Sequence, residues 1–292
     1  MISSFIHPPG GAWLYLKIFG GPQALEEWLT GSLRDFLHEW FSSRRISLFY
    51  FIRFLDRDYH LRLRLRLTDP MNSAFLLSEI SASCREMLDE ERIWKIEAGT
   101  YLPEIERYGA ERIELIEEWF GEDSLFWLDT LAEDKSGNGS DIWKKCICRA
   151  DWILDGFGFP PEKKLTLLRQ MRNGLLSEFG IDHHMKSRLD VKYRNLSSDV
   201  TAILSHQDSN TLTLTGKYSQ SASTLGKISE TLTKAADPKA SDPKASDIIS
   251  DLIHMSLNRA FRTRHRLQEL VVYDFMARGF ESLLARIAKR DA

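Results

Sequence analysis

The chain has 292 residues, 43% hydrophobic and 28% charged, the proportions of a globular protein with ample core and no need of disulfide or metal staples. A net charge of −3, from 39 Lys and Arg against 42 Asp and Glu, excludes polyanion binding by bulk charge but leaves room for a local basic site. Three cysteines cannot close a disulfide framework, no apolar run approaches the ~20 residues of a membrane span, and the start from Met1 to Pro9 has no signal-peptide pattern, so a cytoplasmic protein is expected.

Trp13 to Phe19 is aromatic and branched and stops at Gly20-Gly21-Pro22, which predicts a strand ending in a turn. From Gln23 to Trp40, Leu25, Trp28, Leu29, Leu33, Phe36, Leu37 and Trp40 recur at helical spacing. Ile46 to Phe54 is a nearly continuous apolar run, the pattern of a strand covered on both faces. After the polar turn Asp56-Arg57-Asp58, His60 to Leu67 alternates strictly and predicts its hairpin partner. Met71 to Leu88 reads as a helix and Arg92 to Tyr101 as a further strand.

Beyond Pro103 the spacing turns helical, over Ile113–Leu131, Ile142–Leu154, Glu162–Phe179 with a start at Pro161, and Lys186–Ser205. Residues 207–246 are poor in large apolar side chains and contain the tandem repeat Asp237-Pro238-Lys239-Ala240-Ser241 and Asp242-Pro243-Lys244-Ala245-Ser246, which predicts a flexible loop. Helices over Ile248–Leu257 and Arg262–Lys289 close the chain. The order predicts an α+β fold, with an antiparallel sheet packed with helices in the N-terminal half and a mostly helical C-terminal half.

The hairpin strand puts Leu61, Leu63, Leu65 and Leu67 on one face and His60, Arg62, Arg64 and Arg66 on the other. The plain reading is a wet basic face. The functional reading is an anion site, because guanidinium groups spaced along a strand can hold a carboxylate or phosphate bidentately, with Arg53 joining from the preceding strand. Arg107, where strand hands over to helix, either adds to such a site or pairs with Glu104 or Glu111. His254 lies on a half-apolar helix, as a core residue or a proton-transfer group, with Asn258 four residues on and Arg266 and Glu269 as candidate partners. The sulfurs of Cys146 and Cys148 point to different sides of their helix, Asp182-His183-His184 has no matching ligand spacing, and there is no phosphate loop or nucleophile elbow.

Five segments in order carry a resemblance: Trp13–Gly21; Phe51-Ile52-Arg53-Phe54 with His60–Arg64; Thr100–Gly109; His254–Arg259; and Glu269–Asp274. Together they resemble the C-terminal domain of class I lantibiotic dehydratases, found also in thiopeptide-type bacteriocin biosynthesis proteins. The resemblance spans Trp13 to Arg286 and leaves out the 207–246 loop; it departs at Gly109-Ala110, where the family often has Gly-Gly. It implies one standalone domain over 1–292, lacking the family's glutamylation domain, that acts as a lyase. Glutamate would be eliminated from glutamylated Ser or Thr of a ribosomal precursor peptide (leader plus core), leaving dehydroamino acids.

The family's functional positions match Arg62, Arg64, Arg107 and His254, with Arg53, His60, Arg66 and Asn258 as further substrate contacts. The resemblance implies no metal or organic cofactor, a separate glutamylating dehydratase as partner, and no direct nucleic-acid contact. A homodimer is expected only as the commonest oligomer. Two alternatives stay open. One is a pyridine-forming [4+2] cyclase that expels the leader. The other is a non-catalytic precursor-binding partner, taking the peptide as an added strand at the Trp13–Phe19 edge or the hairpin.

Overall fold

The structure, a computed structural model, describes residues 5–133, 141–180, 183–206, 219–235 and 243–290. The expected α+β architecture is observed. The chain forms two compact units, Met1–Lys135 with Asn258–Thr263, and Ser136–Leu257 with Arg264–Ala292.

The first unit holds the sheet. Strands β1 (Trp13–Gly20), β2 (Ile46–Leu55), β3 (Tyr59–Leu67) and β4 (Ile93–Gly99) lie in the order β2-β3-β1-β4, and every neighbouring pair is antiparallel. Strand β1 is therefore interior, between β3 and β4, and offers no free edge to a peptide. The apolar pattern after β1 becomes α1 (Pro22–Trp28), a π-helical turn over Leu29–Leu33 and α2 (Arg34–Ser42), continuous but for non-helical torsions at Gly31. The helix expected over Met71–Leu88 splits at Cys84 into α3 (Asn72–Ser83) and α4 (Arg85–Asp89). The short α5 (Ile105–Tyr108) and the long α6 (Ile113–Ala132) follow.

Strand β2 is a sheet edge by topology, and side chains satisfy the outward backbone groups of Phe51 and Arg53. Phe51 N–H donates to Ser124 Oγ (3.2 Å), Phe51 C=O accepts from Arg259 Nε (3.0 Å), and the Arg53 backbone exchanges two bonds with the Asn258 amide. Residues two apart on a strand present their backbone groups to the same side, so Phe51 and Arg53 form one ladder that these side chains complete. Helix α6 comes close enough to do this because Gly121 has no side chain, where a Cβ would lie 3.2 Å from Phe49 O. Arg259 is fully buried and donates to Asp123 Oδ2 (3.0 Å).

The second unit is helical. It comprises α7 (Ile142–Gly156), α8 (Pro161–Glu178), α9 (His183–Leu204), α10 (Ser219–Ala235), α11 (Pro243–Ala260, its last residues from Asn258 belonging to the first unit) and α12 (His265–Arg290). Helix α12 packs on α8, α9 and α7, and α10 packs on α7. Helix α8 starts at Pro161 as predicted. The loop reading of 207–246 is corrected in part. Ser219–Ala235 is a helix, because Leu225, Ile228 and Leu232 form a buried stripe at spacings of three and four within a polar background. Residues 207–218 and 236–242, including the first repeat, and Asp182 lie outside the described residues, as do the side chains of His183 and His184. Among the described residues no helix is long and apolar enough to cross a membrane.

Candidate anion site on the sheet

Strand register decides which predicted residues share a face. Tyr15, Arg64 and Tyr50 form one row across β1, β3 and β2, the row Lys17, Arg62, Ile52 lies beside it, and Phe19, His60, Phe54 come next. Arg53 instead pairs with Leu61, on the leucine face. It cannot join the other arginines, because side chains directly opposite on paired strands point the same way. It is 1% exposed and its donors are engaged, Nε with Arg259 O (3.0 Å), Nη2 with Glu26 Oε2 (2.8 Å) and Nη1 with Tyr59 OH (3.4 Å). Asn258 spends its amide on the Arg53 backbone. The substrate contacts expected of these two residues give way to a clamp on the edge of the sheet.

The arginine face is not simply wet. His60 is fully buried between the rings of Phe19 (4.6 Å) and Phe54 (5.4 Å). Its Nδ1 lies 3.0 Å from Asp58 O and its Nε2 lies 3.2 Å from Arg62 Nε. A carbonyl can only accept and an arginine can only donate, so this pair of partners assigns the neutral Nδ1–H tautomer. Burial accordingly lowers the pKa of His60. The Arg62 guanidinium also stacks on Phe54, 3.4 Å from the ring centre. Arg66, half-buried, donates to Ser47 Oγ (3.0 Å).

Arg64 differs from all of these. It is 7% exposed, and its guanidinium sits between the rings of Tyr15 (5.0 Å), Tyr50 (5.1 Å) and Tyr101 (5.5 Å), within cation–π range of each. Among the described residues its Nε and Nη1 are buried with no hydrogen-bond partner. A guanidinium donates in its own plane, and each of these two donors can meet one oxygen acceptor. Arg64 lines a crevice of about 10 Å³, room for one water or one carboxylate oxygen, together with Tyr50, Tyr101, Glu104 and Glu117 among others.

Glu117 was not singled out from the sequence. It lies on α6, 5% exposed, and accepts a hydrogen bond from Tyr101 OH, which is 2.7 Å from Tyr50 OH. Burial pushes its carboxyl up to about 7, against the pull of the Tyr101 hydrogen bond and of Arg66 and Arg64. Burial raises both tyrosines as well. A signal was present: Ile113, Ile116, Glu117 and Phe120 put a carboxylate on the buried stripe of an amphipathic helix. Arg107 on α5 pairs with Glu104 (3.4 Å), one of the two carboxylates weighed for it, and that glutamate also lines the crevice.

His254 belongs to the second unit. Its Nδ1 is 3.0 Å from Oε1 of the fully buried Glu269, whose Oε2 accepts from Arg266 Nη1 (3.1 Å). Arg266 also reaches Glu178 (2.5 Å). A carboxylate on Nδ1 holds the ring and makes Nε2 the basic nitrogen. Elsewhere in this unit Asp151, Asp155 and His206 have the makings of a cation site, but Lys164 Nζ already lies 2.6 Å from both carboxylates.

The family described as lantibiotic biosynthesis dehydratase C-term matches residues 13–280. The chain belongs to this family. The family's description names lantibiotic biosynthesis. No curated protein matches the sequence. Solved structures share the fold, three of them as follows. The tRNA-dependent lantibiotic dehydratase MibB from Microbispora sp. 107891 has a TM-score of 0.75 at 20% identity, over 95% of this chain and 28% of that one. The chain thus spans a little over a quarter of MibB. TbtD, a pyridine synthase from thiomuracin biosynthesis, has a TM-score of 0.68 at 14% identity, over 92% of this chain and 97% of that one. TsrL has a TM-score of 0.60 at 14% identity, over 92% and 94%.

Proposed function

We propose that the protein is a lyase that eliminates glutamate from glutamylated Ser or Thr of a ribosomal precursor peptide, with a separate protein supplying the glutamylated substrate. The observation that carries this reading is Arg64, a buried guanidinium caged by aromatic rings that lines a crevice and whose Nε and Nη1 have no hydrogen-bond partner among the described residues. The departing glutamate has a free carboxylate and gains a second as its ester breaks. A guanidinium with unspent donors can bind that developing charge without giving up a hydrogen bond at those atoms. Arg62, on the adjacent row, and Arg107 are proposed to hold the same group. His254, oriented by Glu269, is proposed as a proton-transfer group.

The test uses a precursor peptide carrying glutamate esters on Ser or Thr. The expected result is loss of the glutamate mass with appearance of dehydroamino acids, abolished in Arg64→Ala and in Arg64→Lys, and unaffected by Lys289→Ala on an exposed helix end. Lysine keeps the charge but lacks the planar set of donors, so its failure separates directed hydrogen bonding from simple attraction. A second reading, ring-forming cyclisation, is favoured by the match with TbtD over nearly the whole of both chains. Release of leader from an already dehydrated peptide, with no effect on the glutamylated one, would select it. Binding of the leader without either change would select a precursor-binding role.

A further inference from the structure

Three hydroxyl and carboxyl groups beside Arg64 form a continuous hydrogen-bonded line. Tyr101 OH donates to Glu117, and Tyr50 OH is 2.7 Å from Tyr101 OH. A phenol carries one hydrogen, so with that of Tyr101 given to Glu117, the bond between the two tyrosines takes its hydrogen from Tyr50. All three residues are at least 95% buried and all three line the crevice. The charged and titratable groups facing Glu117 are Arg64 and Arg66 from β3, Tyr50 from β2, Tyr101 and Glu104 around the entry to α5, and Glu114 on its own helix. His7 stacks on the Tyr101 ring (5.8 Å).

We infer that Glu117 is the proton acceptor of the arginine crevice, taking the proton released at the substrate Cα through the hydroxyls of Tyr50 and Tyr101. The inference rests on the elimination reading. In that step the Cα–H bond breaks and its electron pair becomes the Cα=Cβ bond. The Cβ–O bond breaks, and its pair leaves with glutamate as a carboxylate. The Cα proton is taken by a tyrosine oxygen as that tyrosine's own proton moves along the line to Glu117. Negative charge thereby passes from Glu117 to the leaving carboxylate, which the open donors of Arg64 can receive. The carboxyl, pushed up to about 7 by burial, then returns its proton to water near neutral pH. Glu117 acts through the tyrosines, so its role is to set the protonation of the line.

The first test is independent of turnover. Infrared difference spectra of the whole protein, titrated between about pH 5 and pH 9, should show a protonated buried-carboxyl band with a midpoint near 7. The band should vanish in Glu117→Gln and remain in Tyr101→Phe. No such band in the wild type, or a band that survives in Glu117→Gln, overturns the assignment. The second test uses the glutamylated peptide. Wild-type kcat/KM should rise with pH to a plateau, and Glu117→Gln should lose that limb with kcat down about 10²–10⁴-fold and KM little changed. Glu117→Asp should restore part of the rate with a displaced midpoint. Tyr101→Phe, a nearly isosteric change, should slow turnover while the carboxyl band persists. A Glu117→Gln protein with the wild-type rate and pH limb overturns the relay. A wild type that binds the peptide but eliminates nothing overturns the elimination reading and the Cα-proton role with it, while the infrared band decides separately whether Glu117 exchanges a proton.

Discussion

Asn258 meets the backbone of Arg53 twice, its Oδ1 accepting from the N–H and its Nδ2 donating to the C=O, each at 2.9 Å. The side-chain amide thus takes the place of a neighbouring strand at the free edge of β2. Asn258→Ala removes both bonds and leaves two buried backbone groups unsatisfied. The expected cost is about 2–4 kcal/mol of unfolding free energy, read from the urea midpoint at unchanged slope. A cost below about 0.5 kcal/mol would mean that water replaces the amide.

Arg259 and Asp123 form an ion pair with both side chains fully buried. Burial lowers the arginine's pKa, and its carboxylate partner offsets this only in part. Arg259→Met strands the Asp123 charge and frees the Phe51 carbonyl, with an expected loss of about 3–5 kcal/mol. The double change Arg259→Met with Asp123→Leu should recover much of this, since most of the single loss is the unpaired charge. Equal losses in the single and double variants would refute that account.

Two glycines should respond with opposite signs. At Gly20, where β1 shifts register against β4, an added Cβ would lie 2.9 Å from Arg92 O and 3.0 Å from Leu25 Cγ. Since one obstacle is backbone, Gly20→Ala should destabilise by about 1–3 kcal/mol. Gly226, within α10, has nothing within 4 Å of its would-be Cβ. Gly226→Ala should stabilise by about 0.5–1 kcal/mol through helix propensity. Thermal midpoints of the two variants check both signs.

Glu117 also sets a slope in stability against pH. Its folded pKa is raised from 4.5 to about 7, so between these values the folded chain holds a proton that the unfolded chain has released. Stability therefore falls as pH rises through that window, by at most about 3 kcal/mol from this group. His60 contributes the opposite slope, because its folded pKa is lowered and its contribution is lost as pH falls below 6.5. The difference between wild type and Glu117→Gln isolates the glutamate. The wild type should lose stability relative to the variant from pH 4.5 to 7 and run parallel to it above.

Alternation along β3 correctly separates His60, Arg62, Arg64 and Arg66 from the leucines, because a strand's period is a local property. It cannot report what covers a face. The cage on Arg64 is drawn from Tyr15, Tyr50 and Tyr101, on three separate segments. Register settled Arg53 as well: the hairpin was legible, but its pairing with Leu61 depends on where the turn closes, and a slip of one residue would have exchanged its faces. Helix α10 was lost in the average composition of residues 207–246, although its three buried apolar positions were correctly spaced. Glu117 stood in plain sight on the apolar stripe of α6, among the acidic neighbours that drew attention away from it.

The π-helical turn at Leu29–Leu33 carries a consequence for insertions and deletions. Leu25, Leu29, Leu33 and Leu37 are all buried, three successive steps of four residues. In an unbroken α-helix such steps advance the apolar stripe by about 120° around the axis, out of contact with the core. Gly31, whose torsions are not helical, breaks the helix between Leu29 and Leu33 and resets that phase. Helix α2 is in step with the core across that break, so a residue added or removed between Gly31 and Leu37 would turn its apolar stripe by about 100°.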